Sequence, residues 1–327
     1  MKLHLAFAAG YAAAMLASSA AAFAFDCKLA KTASEKAICA DPAARAADAA
    51  MSASFATLRD GLPATEKAGL AASQSAWIKT RDSACADARP LGKCLAGASA
   101  ARARFLEVRP DAGPGAAAAM VPVFLHVKGR KGVTDVSVDS LKFADDALPG
   151  AKAFNAAVAK LSGSIDQPEA GDERGDSYSF ELLVTLAYAS PRLVSAHGAG
   201  YVYSGGAHGG AVLGDVNVDM AAGRLLVFAD LLDKAGAAKV IAFCTKAVET
   251  EKRIRLDNAP LSAEDKEQAA KGVAEATPDL GNWSFSSDKA TVTYGQYVAG
   301  SYAEGIYNCD VPYTMLRPLA KSDFPLP

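Results

Sequence analysis

Six cysteines set the first constraint: Cys27, Cys39, Cys85, Cys94, Cys244 and Cys309. None forms the Cys-x-x-Cys spacing of a zinc ribbon or a thioredoxin-like redox site. An even number without metal spacing fits disulfides formed in an oxidising compartment. Six cysteines admit many pairings. Sequence separation favours two local bridges, Cys27–Cys39 and Cys85–Cys94, which leaves Cys244 with Cys309.

The N-terminus places the chain in such a compartment. Lys2 and His4 precede a run of apolar and small residues ending in Ala22-Phe23-Ala24, an A-x-A cleavage pattern. Residues 1–24 therefore read as a secretory signal peptide, cut near Ala24 and left out of the fold. The residues before Cys27, Ala24-Phe25-Asp26, lack the leucine and small residue of a lipid-attachment box. No later apolar run is long enough for a transmembrane segment. The expected location is periplasmic or secreted.

A composition break divides the rest. Arg109 to Met120 is built of Pro, Gly and Ala without apolar periodicity, so 109–120 reads as a linker between domains at 25–108 and 121–327. Residues 26–108 hold 12 Lys/Arg and 9 Asp/Glu, a net of +3, whereas residues 109–327 hold 21 and 27, a net of −6. Neither half shows a basic stripe with interleaved aromatics, so no nucleic acid is expected as a partner.

The first half reads as helical. Asp41-Pro42 is an N-cap followed by proline at the first helical position, and Ala47, Met51, Phe55 and Leu58 then repeat at helical spacing. Gly61-Leu62-Pro63 stops that helix. Thr65-Glu66 opens a second, with Leu70, Gln74, Trp77, Ile78 and Arg81 along one face. A third runs from Leu91 through Leu95, Ala98, Arg102, Phe105 and Leu106. A core this small and alanine-rich leans on its disulfides. Trp77 and Arg81 lie one turn apart, so ring stacking and an ion pair with Asp82 or Asp26 give them a structural role.

Phe25-Asp26-Cys27, Glu35-Lys36-Ala37-Ile38-Cys39, Gln74, Trp77, Arg81-Asp82, Cys85, Cys94 and the stretch from Arg102 to Leu106 occur together. In these features the region resembles the N-terminal domain of the LprI-type lysozyme inhibitors.

The second half reads as α+β. Strands are expected at Val121–Val127, Val133–Val138 and along the alternation Tyr178, Phe180, Leu182, Val184, Leu186, Tyr188. A hairpin runs from Val216, Val218 and Met220 through Gly223 to Leu225 and Val227. Further strands are expected at Trp283–Phe285, Thr291–Tyr294 and Val311–Leu316, and helices near 151–161, 235–255 and 262–276. This order argues for a mainly antiparallel sheet with helices on one face. The whole is then a small disulfide-stapled all-α domain followed by an α+β domain.

The densest candidate site is Tyr203-Ser204-Gly205-Gly206-Ala207-His208-Gly209-Gly210. A nucleophile elbow needs its serine inside G-x-S-x-G, but Ser204 precedes the glycines. A P-loop needs a Gly-Lys-Ser/Thr run that is missing here. Beyond the signal peptide only His126, His197 and His208 remain, without H-E-x-x-H, so no metal and no cofactor are expected. Ser204, His208 and Asp215 can be drawn as a triad, but a lone histidine between strand ends is more often an ordered turn residue. No catalytic residue is assigned.

Gly205-Gly206-Ala207-His208, Asp219 to Gly223, Asp230-Leu231-Leu232, Tyr297, Tyr302 to Gly305 and Val311-Pro312-Tyr313 through Leu316 span about 121–320. Together they resemble the extracytoplasmic domain of RsiV-type anti-sigma factors, which sense lysozyme, and which also accompanies some peptidoglycan deacetylases. This chain lacks the transmembrane and sigma-binding parts and the deacetylase's metal motif, so neither regulation nor deacetylation follows.

Both resemblances imply a non-enzymatic lysozyme binder. A region of net −6 would steer a cationic, animal-type lysozyme towards it. The contacts are expected at the glycine loop (Tyr203, Ser204, Gly205, Gly206, His208) and at the acidic stretch 166–176 with Glu169, Asp172, Glu173 and Asp176. The rival readings are an envelope adaptor that binds another periplasmic protein or the wall, and a cell-wall hydrolase using paired carboxylates.

Overall fold

The structure is a computed structural model that describes residues 26–127, 135–163 and 178–327. The signal sequence, the acidic stretch 166–176 and residues 133–134 of an expected strand lie outside the described residues.

The helical region begins with α1 (Ala33–Ala40), which the sequence reading missed. Its marker is Thr32 with Glu35: the hydroxyl accepts the Glu35 amide while the carboxylate accepts the Thr32 amide. Asp41 caps α2 (Pro42–Gly61) by accepting from the amides of Ala43 and Ala44. α3 (Ala64–Cys85) and α4 (Leu91–Leu106) follow. Disulfides Cys27–Cys39 and Cys85–Cys94 fasten the two ends of a minor core of Ile38, Ala44, Cys85 and Leu95.

The sheet-rich region contains β1 (Met120–Val127), β2 (Asp135–Phe143), α5 (Pro149–Gly163), β3 (Ser179–Ala189), β4 (Leu193–Tyr203), β5 (Gly210–Asp219) and β6 (Arg224–Leu225). These strands form a six-stranded sheet in sequence order, antiparallel except for the β2–β3 pair. Then come α6 (Phe228–Leu231), α7 (Lys234–Arg255), α8 (Ala263–Ala276), β7 (Trp283–Phe285), β8 (Lys289–Tyr294), β9 (Tyr307–Pro312) and α9 (Tyr313–Leu316). β7, β8 and β9 make a separate antiparallel sheet, so the strands divide between two sheets. The strand expected at Val311–Leu316 stops at Pro312, which cannot donate to a ladder, and the chain turns into α9. Cys244 of α7 and Cys309 of β9 join helix to sheet.

β4 was not foreseen because glycines break its alternation. They are there for close packing: a Cβ on Gly200 would sit 1.9 Å from the Glu181 carbonyl oxygen, and one on Gly198 2.6 Å from Leu161 of α5. In β3 the pairing shifts between Leu186 and Tyr188. That bulge turns Tyr188 away from Phe180, Leu182, Val184 and Leu186 and into the core around Trp283.

The segment expected as a linker lies against the sheet. Where β2 stops pairing with β3, the amides of Asp111, Ala112 and Gly115 donate to the carbonyls of Leu186, Ala187 and Ala189. Met51, Leu70, Phe105 and Leu106 of the helices share one core with Val138, Phe154, Phe180 and Val218. Phe105 of α4 meets Phe124 of β1 edge-to-face at 6.0 Å.

A buried charge fixes this junction. Asp139 of β2 accepts from Arg102 Nη1 at 2.7 Å, Ser73 Oγ at 2.6 Å and the His126 Nε2–H at 2.9 Å. The Arg102 guanidinium stacks on Trp77 and Phe105, and Arg81 takes the same Trp77 ring at 5.0 Å while bonding Asp48 and Asp82. Burial alone would raise the Asp139 carboxyl, but its three donors outweigh that and hold it below the usual range. Arg102→Ala strands Asp139, and urea unfolding of that variant is expected to show a loss of about 3–5 kcal/mol. The loss should shrink when Asp139→Ala is added, because the stranded charge is then gone.

Candidate functional site

The glycine loop is the turn of the β4–β5 hairpin. Gly205 and Gly206 both take φ 93°, the left-handed region open to glycine, which lets the strands reverse. Two tyrosines of β4 close the turn: the Tyr203 hydroxyl donates to the Gly206 carbonyl at 2.9 Å, and the Tyr201 hydroxyl accepts from the Gly209 amide at 2.8 Å. Gly209 has no room for a side chain, since a Cβ would lie 2.2 Å from the Val202 carbonyl oxygen.

His208 Nδ1–H donates to the Gly209 carbonyl at 2.9 Å, which leaves Nε2 as an acceptor 3.5 Å from the Tyr297 hydroxyl. The ring stacks on Tyr302 with centroids 3.8 Å apart, and Tyr302 in turn lies 5.7 Å from Tyr297. The Ala211 amide donates to Gln296 Oε1 at 2.8 Å, which sews the hairpin to the loop after β8. Two stretches some 90 residues apart thus make one aromatic face. Tyr297 and Tyr201 show 61% and 41% of their surface to solvent.

This face is held from behind. Lys252 of α7 is fully buried, and its ammonium meets Glu304 at 2.8 Å, Asp265 at 3.4 Å and the Ala299 carbonyl at 3.3 Å. Glu304 also accepts from the Ser301 amide and the Tyr307 hydroxyl. Burial would raise that carboxyl, yet Lys252, the Ser301 amide and Tyr307 together hold it down at about 2. Gly272 lets α8 come close, because a Cβ there would be 1.8 Å from the Val298 carbonyl oxygen. Against this support Tyr297 keeps φ 67°, a conformation costing a tyrosine about 1–3 kcal/mol.

Asp215 does not approach His208. It pairs across the β4–β5 ladder with His197, Nδ1 to Oδ1 at 2.8 Å, so Ser204, His208 and Asp215 are not assembled as a triad. Ser137, His126 and Asp139 are joined in series, but Arg102 and Ser73 hold the other Asp139 oxygen and commit the carboxylate to the helix junction. Among the described residues no group of three or more His, Cys, Asp or Glu could hold a metal ion. Trp77, Arg81 and Asp82 sit in the junction described above, away from the glycine loop. Glu169, Asp172, Glu173 and Asp176 lie outside the described residues. Tyr201, Gln296, Tyr297 and Tyr302 were not foreseen as site residues; the repeated tyrosines among Gly295, Gly300 and Gly305 were the available signal.

The Asp215 hydrogen bond raises the His197 imidazolium above its ordinary 6.5, and burial only partly opposes this. A raised histidine stabilises the fold fully below its unfolded pKa and loses that contribution as pH climbs through the folded value. A ring-proton NMR titration should place His197 above 6.5, and Asp215→Asn should bring it down. A wild-type midpoint below 6.5 would show that burial dominates instead.

Residues 27–109 match the model of a family described as lysozyme inhibitor LprI. No curated protein matches the chain. Two solved structures are similar to it. A member of the DUF3298 family from Bacteroides fragilis NCTC 9343 is 16% identical, with 63% of this chain and 95% of that one covered and a TM-score of 0.46. A DUF3298 family protein from Pseudomonas aeruginosa PAO1 is 18% identical, with the same coverages and the same TM-score of 0.46. The family match falls on the helical region and takes in both of its disulfides.

Proposed function

We propose that this chain is an exported, non-enzymatic protein that binds lysozyme and blocks it. The observation that carries the reading is the match of residues 27–109 to the lysozyme inhibitor LprI family. The resemblance of the sheet-rich region to lysozyme-sensing RsiV-type domains supports it independently. Three disulfides, and the lack among the described residues of any helix long and apolar enough to cross a membrane, agree with a periplasmic or secreted protein.

The junction narrows where a partner could touch. Trp77, Arg81 and Arg102 are engaged with one another, with Asp48 and with Asp139. They build the platform and leave capture to other surfaces. The net charge of −6 on residues 109–327 supplies long-range attraction for a cationic lysozyme, concentrated in the acidic stretch 166–176. The glycine loop would add short-range contacts to the same partner.

Titration calorimetry of the disulfide-intact protein with an animal-type lysozyme, at two salt concentrations, tests this. Saturable binding that weakens as salt rises, with loss of muramidase activity, is the expected result. Replacing Glu169, Asp172, Glu173 and Asp176 by Gln or Asn should lower the association rate chiefly at low salt. No heat and no inhibition would sink the proposal. Retention of wall material in that case would favour the envelope adaptor, and release of muropeptides by the protein alone would favour the hydrolase.

A further inference from the structure

The geometry points to a second ligand at the glycine-loop face: a neutral pyranose glycan stacked on Tyr297 and Tyr201. The rings come first. Both are well exposed; His208 and Tyr302 extend the aromatic surface beside Tyr297, and Tyr201 reaches the same turn through the Gly209 amide. A pyranose offers an apolar face of C–H bonds and a rim of hydroxyls. A solvent-facing aromatic ring covers the first and leaves the second to hydrogen bonds.

Charge then selects among ligands. Residues 198–214 and 290–303 contain no Asp, Glu, Lys or Arg, and the β3–β4 ladder sets the single carboxylate of the exposed Glu181 opposite Tyr201. A surface built for a strongly ionic small ligand would carry a cluster of the opposite charge. This one carries the hydroxyls of Tyr203 and Tyr297, with the Gln296 amide bonded to the same hairpin. Its chemistry is that of a neutral polyol site.

The backbone gives the third argument. Tyr297 is exposed and yet held at φ 67°, with Gln296, Lys252 and Glu304 fixing the loop around it. A glycine would fit that conformation without strain. Strain kept under an exposed ring marks a ring that is displayed for contact. The inference does not depend on the lysozyme reading, because it needs no protein partner and no net charge.

The test titrates the full, disulfide-intact protein with three probes: a glucose tetramer, an N-acetylglucosamine tetramer and soluble wall glycan strands. At least one probe is expected to bind saturably, with an affinity that does not change between low and high salt. Preference among the probes separates a wall glycan from other sugars. Tyr297→Gly removes the ring and relieves the backbone, so it should fold at least as well as the parent and bind about tenfold more weakly. Tyr297→Phe should keep most of the affinity. No binding of any probe, or binding untouched by Tyr297→Gly and Tyr201→Ala together, would overturn the inference. Lysozyme titrated in parallel separates the two readings: sugar binding without lysozyme binding leaves the glycan site standing, and the reverse leaves only the capture model.

Discussion

The Asp139 carboxylate is the interaction on which the arrangement of this molecule turns. A buried charge is tolerated only when its partners are supplied in place, and two of the three come from helices while the third comes from the neighbouring strand. Arg102 can reach Asp139 only if α4 lies against β1 and β2, and its aliphatic and planar surfaces are then covered by Trp77 and Phe105. Apolar contact would hold the two halves together in many orientations. The ion pair, with its fixed hydrogen-bond directions, admits one. The segment 109–116 follows from this, since it has to run along β3 to join elements already docked.

That docking changes how a family signature is understood. Gln74, Trp77, Arg81 and Arg102 carry part of the resemblance in the first half of the sequence, where Trp77 and Arg81 read as structural. In the molecule Gln74 accepts from Arg102, Trp77 lies between two guanidiniums, and Arg81 is tied to Asp48 and Asp82. In this molecule the needs of a junction account for these residues without any partner.

Most of the long helices and the two short-range disulfides were legible because their signals are local, whereas Cys244–Cys309, 65 residues apart, followed only by elimination and α1 escaped despite its local cap. A cap, a proline, a helical stripe or a short cysteine spacing acts within a few residues. What else escaped was set by distant contact. β4 is hidden by Gly198 and Gly200, whose positions answer to Leu161 and to the Glu181 carbonyl. Tyr188 obeys the alternation in sequence but leaves it at a bulge, because it has the second core to fill. The candidate site is half legible for the same reason. His208 announces itself within the glycine turn, whereas Tyr297 and Tyr302 become its neighbours only when the β8–β9 connection folds over the β4–β5 hairpin.

The two surfaces differ in a way that bears on how they could act together. Long-range attraction belongs to the acidic chemistry of residues 109–327, and it reaches about 8 Å at physiological salt. The glycine-loop face, where Glu181 lies opposite Tyr201, contributes at contact, chiefly through rings and hydroxyls. Behind it the Lys252–Glu304 ion pair, with the Glu304 carboxyl held down at about 2, supports the loop that carries Tyr297 and Tyr302. On the two proposals together, one region would gather a cationic enzyme at long range while another would engage a neutral glycan at contact.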